Sequence, residues 1–323
     1  MANKILVTED IVGPGIQRLV DKYDVTRDKD LWKDPQRLLE SVGSFDALVV
    51  RNQTAVNSEV LAAAAQCKVI GRAGVGVDNI DVEAASNHGI VVTFAPDENA
   101  ISVAEHVMGV MLCIARKLPA ADESVKQGRW ERMRYLGTEL YGKTLGVLGL
   151  GKIGCRVALR AKSFGLHIIA YDPYLTRHHL NVTETGAELV DLDTLLARSD
   201  FITVHLPLTE ETMHLLNESR LSGMKPTAIL INTSRGPVVD EKDLYKVLKE
   251  RRIGGAALDV REKEPPGDSP LHELDNILLT PHVAGFTREA QDKVTDSVGE
   301  DVDRVLSGLP ALRFVNFSLP RRH

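Results

Sequence analysis

Cysteine and aromatic residues are scarce in this 323-residue chain, and it has neither a basic run nor a long apolar one; each shortage removes a class of function. The three cysteines, Cys67, Cys113 and Cys155, are an odd number, lie far apart and lack metal-ligand spacing. Neither a disulfide framework nor a thiolate metal centre is therefore expected, and no His pair adds a metal site. They read as small core hydrophobes, with activation of Cys155 by the helix start beside it as the minor alternative. Together with the lack of a recognisable secretory signal, this usage points to a reducing, cytoplasmic setting. No apolar stretch approaches the roughly 20 residues of a membrane span. The formal charge of -6 is dispersed, which argues against nucleic acid or an anionic membrane as principal partner. A small anion would have to be held by a local arginine cluster.

What is present is alternation. Single cores stop growing at about 250 to 300 residues, so this length predicts two domains. From the N-terminus, strand-type runs alternate with helix-type segments: KILVTE, then Ile16 to Val20; FDALVVR, then Glu59 to Ala65; CKVIGRAG, then Val82 to Ser86; and IVVTF. Such alternation predicts a parallel α/β sheet with right-handed crossovers. After Pro96, the segment NAISVAEHVMGVMLCIARKL is apolar or small nearly all round, predicting a buried helix that bridges the domains. Six further strand candidates follow: TLGVLGLG, HIIAYD, DFITVHLP, AILINTS, GAALDV and NILLTPH. A last helix, about Thr287 to Leu306, puts Val294, Val298, Val302 and Val305 on one face. Because six strands already complete a dinucleotide-type sheet, this helix and LRFVNF are expected to return to the first domain.

The most informative stretch is KTLGVLGLGKIG, residues 143–154, with Asp172 eighteen positions beyond its end. Gly149, Gly151 and Gly154 would let the backbone turn tightly, approach a pyrophosphate and pack a helix on a strand, with that helix's first N–H groups facing the phosphates. A P-loop fails, because Ile153 follows Lys152 where a magnesium-binding hydroxyl is needed. Asp172 at the end of the second strand suits the ribose hydroxyls of NAD and repels a 2′-phosphate, the alternative being a loop cap. The expected fold class is two doubly wound parallel-sheet domains, with a Rossmann-type NAD-binding domain at 99–285 inserted in a discontinuous first domain, 1–98 and 286–323.

Ligands of open α/β sheets lie outside the carboxyl ends of the strands, so polar residues after apolar runs are the candidates for chemistry. Arg235 follows AILINTS, Glu264 follows GAALDV after a short loop, and His282 ends NILLTPH. Oxidation of a 2-hydroxy acid needs a base near neutral pKa, a carboxylate on its other nitrogen and a guanidinium for the substrate carboxylate. Singly, each residue reads as well as a turn arginine, a loop carboxylate or a structural histidine; together they suggest a catalytic set. His205 is expected to line a strand end near the cofactor.

The series RAGVGVDNID, NAISVAEH, GRWER, GTELYGKTLGVLGLGKIG, YDP, ITVHLPLTEET, INTSRGPVVDE, GAALDV, EKEPP and TPHVAG, spread between about Lys4 and Phe317, resembles the D-isomer-specific 2-hydroxyacid dehydrogenase family. The resemblance implies a catalytic Arg235, an assisting Glu264 and a proton-exchanging His282. It also implies that Asp259 holds the nicotinamide amide, that Leu206, Thr233, Ser234 and Gly285 border the cofactor, and that Lys152 and Ile153 approach its pyrophosphate. A flavodoxin-like substrate domain is implied too, as is a homodimer made mostly by the nucleotide-binding domains, with KLPAADESVKQGRW reaching across.

For an anionic 2-hydroxy or 2-keto acid, the candidate substrate residues are Arg51, Arg72, Val75, Gly76, Arg132 and Arg134, although Arg132 and Arg134 also read as surface partners of Glu131. The first expectation is oxidation of 3-phosphoglycerate to 3-phosphohydroxypyruvate with NAD; the runner-up is reduction of glyoxylate or hydroxypyruvate by the same groups. Asn52 and Gln53 stand where phosphoglycerate-oxidising members more often have Ser and a small residue, and Val75 where Thr is common. A non-catalytic dinucleotide-sensing corepressor of the same fold is the alternative of another class. The chain ends soon after FVNFSL, so no serine-sensing domain and no feedback by serine are expected.

Overall fold

Short β-branched runs bounded by polar turns form the strands, and every strand pair is parallel. The computed structural model of the chain describes residues 3–321. These divide into two units: one runs up to Asn99 and resumes at Phe286, and the other is Ala100–Gly285.

The first unit begins with β1 (Lys4–Val7), α1 (Pro14–Lys22), β2 (Asp24–Arg27), α2 (Pro35–Val42) and β3 (Ala47–Val50). It continues with α3 (Ser58–Ala63), β4 (Val69–Arg72), α4 (Val82–Asn87) and β5 (Val91–Thr93). The sheet order is β2-β1-β3-β4-β5. Alternate residues face opposite sides. Ile5, Val7, Val49 and Val69 enter one core with Ile16 and Leu19 of α1, whereas Leu6, Leu48, Val50 and Ile70 enter the other with Leu38 of α2 and Leu61 of α3. The sequence reading missed β2, whose DVTR has no buried residue and sits at the sheet edge, so no apolar pattern marks it.

The second unit opens with α5 (Ala100–Ala115) and α6 (Leu118–Lys126). Its sheet is built from β6 (Thr144–Leu148), α7 (Lys152–Ser163), β7 (His167–Tyr171), α8 (Leu180–Thr185), β8 (Glu188–Leu189), α9 (Leu192–Arg198) and β9 (Phe201–Val204). There follow α10 (Glu218–Ser222), β10 (Ile229–Asn232), α11 (Glu241–Lys249), β11 (Gly255–Leu258) and β12 (Ile277–Leu279). The order is β12-β11-β10-β9-β6-β7-β8, seven strands where six were expected; the addition, β8, is a two-residue edge strand too short to show a pattern. Strand order reverses at β6, between β9 and β7, which is where such sheets bind ligands. The segment expected to bridge the domains opens this unit, directly after Asn99 of the first, and Ala104, Val107, Met111 and Ala115 of α5 pack with Leu145, Val147, Val157 and Ala158.

The last helix, α12 (Arg288–Leu306), completes the first unit. Thr287 caps it, accepting the Ala290 N–H at 3.2 Å, and Val294, Val298, Val302 and Val305 join the core of β1, β3 and β4. Each buried valine removes enough apolar surface to contribute on the order of 1.5–3 kcal/mol. The chain then pairs with the β5 edge, where Val315 N–H donates to the Val92 carbonyl at 2.9 Å and Asn316 Oδ1 accepts the Val92 N–H at 3.0 Å. The discontinuous arrangement is thus the one the sequence suggested. Cys67 and Cys155 are buried, burial pushing the Cys155 thiol up, while Cys113 is only half-buried. No described helix is long and apolar enough to cross a membrane. Among the described residues, no group of three or more His, Cys, Asp or Glu side chains is arranged to hold a metal.

Candidate active site

The glycine loop leaves β6 at the switch point. Gly149 adopts φ +88°, which disfavours any residue with a Cβ, and a Cβ on Gly154 would lie 2.1 Å from the Gly149 carbonyl oxygen, so α7 can start this close to the strand only with glycine there. Gly151 is the N-cap of α7 and supplies no capping side chain; a Cβ built on it meets nothing within 4 Å. Lys152 and Ile153 form the first turn of α7, exposed and half-buried respectively. Asp172 braces the loop, its Oδ2 accepting the Leu150 N–H at 3.0 Å and its Oδ1 the Tyr174 N–H at 3.1 Å. Asn181, which the sequence reading did not single out, donates to the Leu150 carbonyl at 2.7 Å.

On the neighbouring strand ends, two buried polar atoms have no protein partner, His205 Nδ1 beyond β9 and Thr233 Oγ1 beyond β10. Burial lowers the His205 imidazole to about 3, and its Nε2 lies 2.9 Å from Thr203 Oγ1. Leu206 beside it is buried. An open glycine turn at an uncapped helix start, two orphaned polar atoms and an apolar wall are the donor set a dinucleotide requires, so these residues fit NAD.

Three turns carry the catalytic candidates. After β10, the buried Asn232 accepts the Ser234 N–H at 3.0 Å and hydroxyl at 2.9 Å, and donates to the Arg235 carbonyl at 2.9 Å. This fixes the turn that presents Thr233, Ser234 and Arg235. A Cβ on the next residue, Gly236, would lie 2.0 Å from the Arg261 carbonyl carbon, so the turns after β10 and β11 touch backbone to backbone. The Arg261 side chain, 7 % exposed, anchors the second turn through a two-pronged pair with Glu241 at 2.9 and 2.7 Å. In that turn Glu264 Oε1 accepts the Arg261 N–H at 3.0 Å.

The third turn, after β12, brings His282 to Glu264. His282 Nδ1 lies 2.7 Å from Glu264 Oε2, and donation from Nδ1–H to the carboxylate leaves Nε2 for proton exchange. Burial works to raise the Glu264 carboxyl, but the His282 bond and charge, the Arg261 N–H and the Arg235 charge outweigh it and hold it below the ordinary 4.5. His282 itself sits at φ +56°, a left-handed conformation that its N–H maintains through the carbonyls of Asp259 (2.8 Å) and Thr280 (3.1 Å). Asp259, 2 % exposed, clamps the same turn. Its carboxylate accepts the Thr280 hydroxyl at 2.5 Å, the Val283 N–H at 2.9 Å and the Ala284 N–H at 2.8 Å. Three of the roughly four acceptor positions on the carboxylate are thus in use, and His106 Nε2 stands 3.8 Å from its Oδ1. His106 Nε2 of α5 stands 3.4 Å from Thr280 Oγ1. Gly285 ends the unit.

The structure thus brings Arg235, Glu264 and His282 together, with the glycine loop and Asp259 in the same unit. Arg51, Arg72, Val75 and Gly76 belong to the first unit, at or just beyond the carboxyl ends of adjacent β3 and β4. Arg132 and Arg134 belong to the second, on an exposed turn where Arg134 pairs with Glu131 at 3.4 Å. Asn232, Asn181 and Arg261 escaped the sequence reading; only Asn232, a polar residue closing an apolar strand, carried a usable signal.

Residues 108–284 match the family described as D-isomer specific 2-hydroxyacid dehydrogenase, NAD binding domain. The chain is 50% identical over 315 residues to a D-3-phosphoglycerate dehydrogenase of Methanocaldococcus jannaschii, covering 97% of this chain and 59% of that protein. It is equally 50% identical over 282 residues to the protein of that name from Archaeoglobus fulgidus, covering 87% of this chain and 53% of the relative. It therefore spans little more than half the length of these curated relatives. A crystal structure of D-lactate dehydrogenase from Aquifex aeolicus, complexed with NAD and lactic acid, superposes with a TM-score of 0.87 at 30% identity, covering 97% of this chain and 99% of that one. The chain belongs to the D-isomer-specific 2-hydroxyacid dehydrogenases, and its second unit contains that family's NAD-binding domain.

Proposed function

We propose that the chain is an NAD-dependent oxidoreductase that oxidises 3-phosphoglycerate at its C2 hydroxyl to 3-phosphohydroxypyruvate, and catalyses the reverse reduction. The observation that carries the reading is the 2.7 Å bond between His282 and Glu264, beside the charge of Arg235. When bound, NAD supplies the nicotinamide that accepts or returns the hydride. Its pyrophosphate would be held by Gly149, Gly151, Lys152, Ile153 and Gly154, its ribose by Asp172, and its nicotinamide end by Leu206, Thr233, Ser234, Asp259 and Gly285.

His282 Nε2 takes the C2 hydroxyl proton during oxidation and returns it to the carbonyl oxygen during reduction. Glu264 fixes the ring orientation and balances the positive imidazolium formed on proton uptake. The guanidinium of Arg235 grips the substrate carboxylate and stabilises negative charge on the adjacent oxygen. Arg51, Arg72, Val75 and Gly76 hold the anionic substrate, with Arg132 and Arg134 as further phosphate partners. A homodimer is proposed from the exposed apolar side chains of one segment, Trp130, Met133, Leu136 and Tyr141, each at least 71% accessible. The relatives named D-3-phosphoglycerate dehydrogenase support the choice of substrate.

The test is kcat/KM for 3-phosphohydroxypyruvate against hydroxypyruvate at the same NADH concentration. A preference of roughly tenfold or more for the phosphorylated acid is expected, since a phosphate adds charge-assisted bonds; preference for the unphosphorylated acid rejects the substrate.

A further inference from the structure

We propose that Glu9 is a positioning residue that presents Arg51 to the anionic end of the substrate, and thereby a determinant of anion specificity. The inference rests on the assignment of Arg51 to substrate binding made above. Glu9 follows β1 and is 4% exposed. Its carboxylate is committed to one segment. Oε1 accepts the Arg51 N–H at 2.7 Å, the Thr54 N–H at 3.0 Å and the Thr54 hydroxyl at 2.8 Å, and Oε2 accepts the Gln53 N–H at 3.2 Å. Asn79 completes the clamp from the acceptor side, its Nδ2 donating to the carbonyls of Arg51 at 3.0 Å and Thr54 at 2.7 Å.

Two consequences follow from this arrangement. The backbone of Arg51 is fixed at both its N–H and its carbonyl, and its guanidinium lies 5.3 Å from the centre of the Phe286 ring while donating to Gln291 Oε1. In addition, the N–H groups of Arg51, Gln53 and Thr54 point at a carboxylate and are lost to any anion. Glu9 therefore stops the segment from acting as a backbone nest for phosphate and leaves recognition there to the planar fork of Arg51. Without Glu9, the segment loses four hydrogen bonds and Arg51 shifts, and misplacement by about 1 Å can cost up to ~10²-fold in rate.

The experiment compares E9A, R51A and E9A/R51A in the whole chain, measuring kcat and KM for 3-phosphohydroxypyruvate and for hydroxypyruvate at saturating NADH, with Tm as a check on folding. E9A is expected to raise KM for the phosphorylated acid by roughly tenfold or more, to change kcat less, and to lower the phosphorylated-to-unphosphorylated ratio of kcat/KM. In the R51A background E9A should add little. E9Q, which keeps an oxygen for the three donors on Oε1, should recover most of the loss. An equal fall in kcat/KM for both acids, or effects of E9A and R51A that simply multiply, would overturn the proposal. If E9A does not fold, T54V, which removes one of the four donors, decides by the same criteria with a smaller shift. Should wild type prefer hydroxypyruvate, the phosphoglycerate assignment fails by itself, and the E9A and R51A cycle on hydroxypyruvate still decides whether Glu9 acts through Arg51.

Discussion

His282 combines two costs that a merely structural histidine would avoid. It occupies a left-handed backbone conformation, about 1–3 kcal/mol above the ordinary regions, and on one ring nitrogen it holds a carboxylate whose charged form burial disfavours. Asp259 offsets the first by clamping the turn on either side of it. The second is balanced in the lowered pKa of Glu264, which has a direct consequence for stability. A carboxyl whose folded value is depressed contributes stability above its unfolded value, and that contribution is lost as pH falls through the lower folded value. In urea unfolding, the stability difference between wild type and E264Q is therefore expected to be largest near neutrality and to shrink as pH drops well below 4.5. A difference independent of pH would mean that the His282 bond does not set the ionisation of Glu264.

At the scale of elements, the site is a matter of turns after parallel strands, and glycine decides how closely they approach. Gly236 and Gly151 make a contrasting pair. G236A forces a Cβ to within 2.0 Å of the Arg261 backbone and separates the turns carrying Arg235 and Glu264. Overpacking of about 1–3 kcal/mol should lower Tm by several degrees and reduce kcat/KM with it. G151A adds a methyl group in open space at an ordinary φ of -74°, so Tm should hold while NAD affinity, measured by fluorescence titration, falls. Equal Tm losses in the two variants would contradict this division. The sequence showed Arg235, Glu264 and His282 because each is a polar residue soon after an apolar run. It did not show Asn232, Asn181 or Arg261, whose partners are mostly backbone groups and residues distant in the chain, nor the clamping of the His282 turn by Asp259. Edge strands β2 and β8 were hidden for a related reason, being too exposed or too short to carry an apolar pattern.

For the whole molecule, the informative sequence feature is the valine face of α12. A helix with one buried stripe must find a surface, and the second sheet had no place left for it, so the return to the first unit was legible in the sequence. The nearly all-round apolar character of α5 reflects its burial in the core of the second unit, which it opens. Family membership fixes the architecture and the dinucleotide domain, whereas the proposed choice of anion rests on the few residues at the ends of β3 and β4, where sequence alone does not reveal which backbone groups are already taken. The proposed chemistry has residues 264 and 282, 2.7 Å apart, acting as one unit. The most direct test is the double-mutant cycle of E264Q, H282Q and E264Q/H282Q, measured as kcat/KM with saturating NADH. E264Q should be strongly impaired alone yet almost without effect in the H282Q background, as expected of groups that work together. Losses that multiply independently would contradict proton exchange through a Glu264-held imidazole.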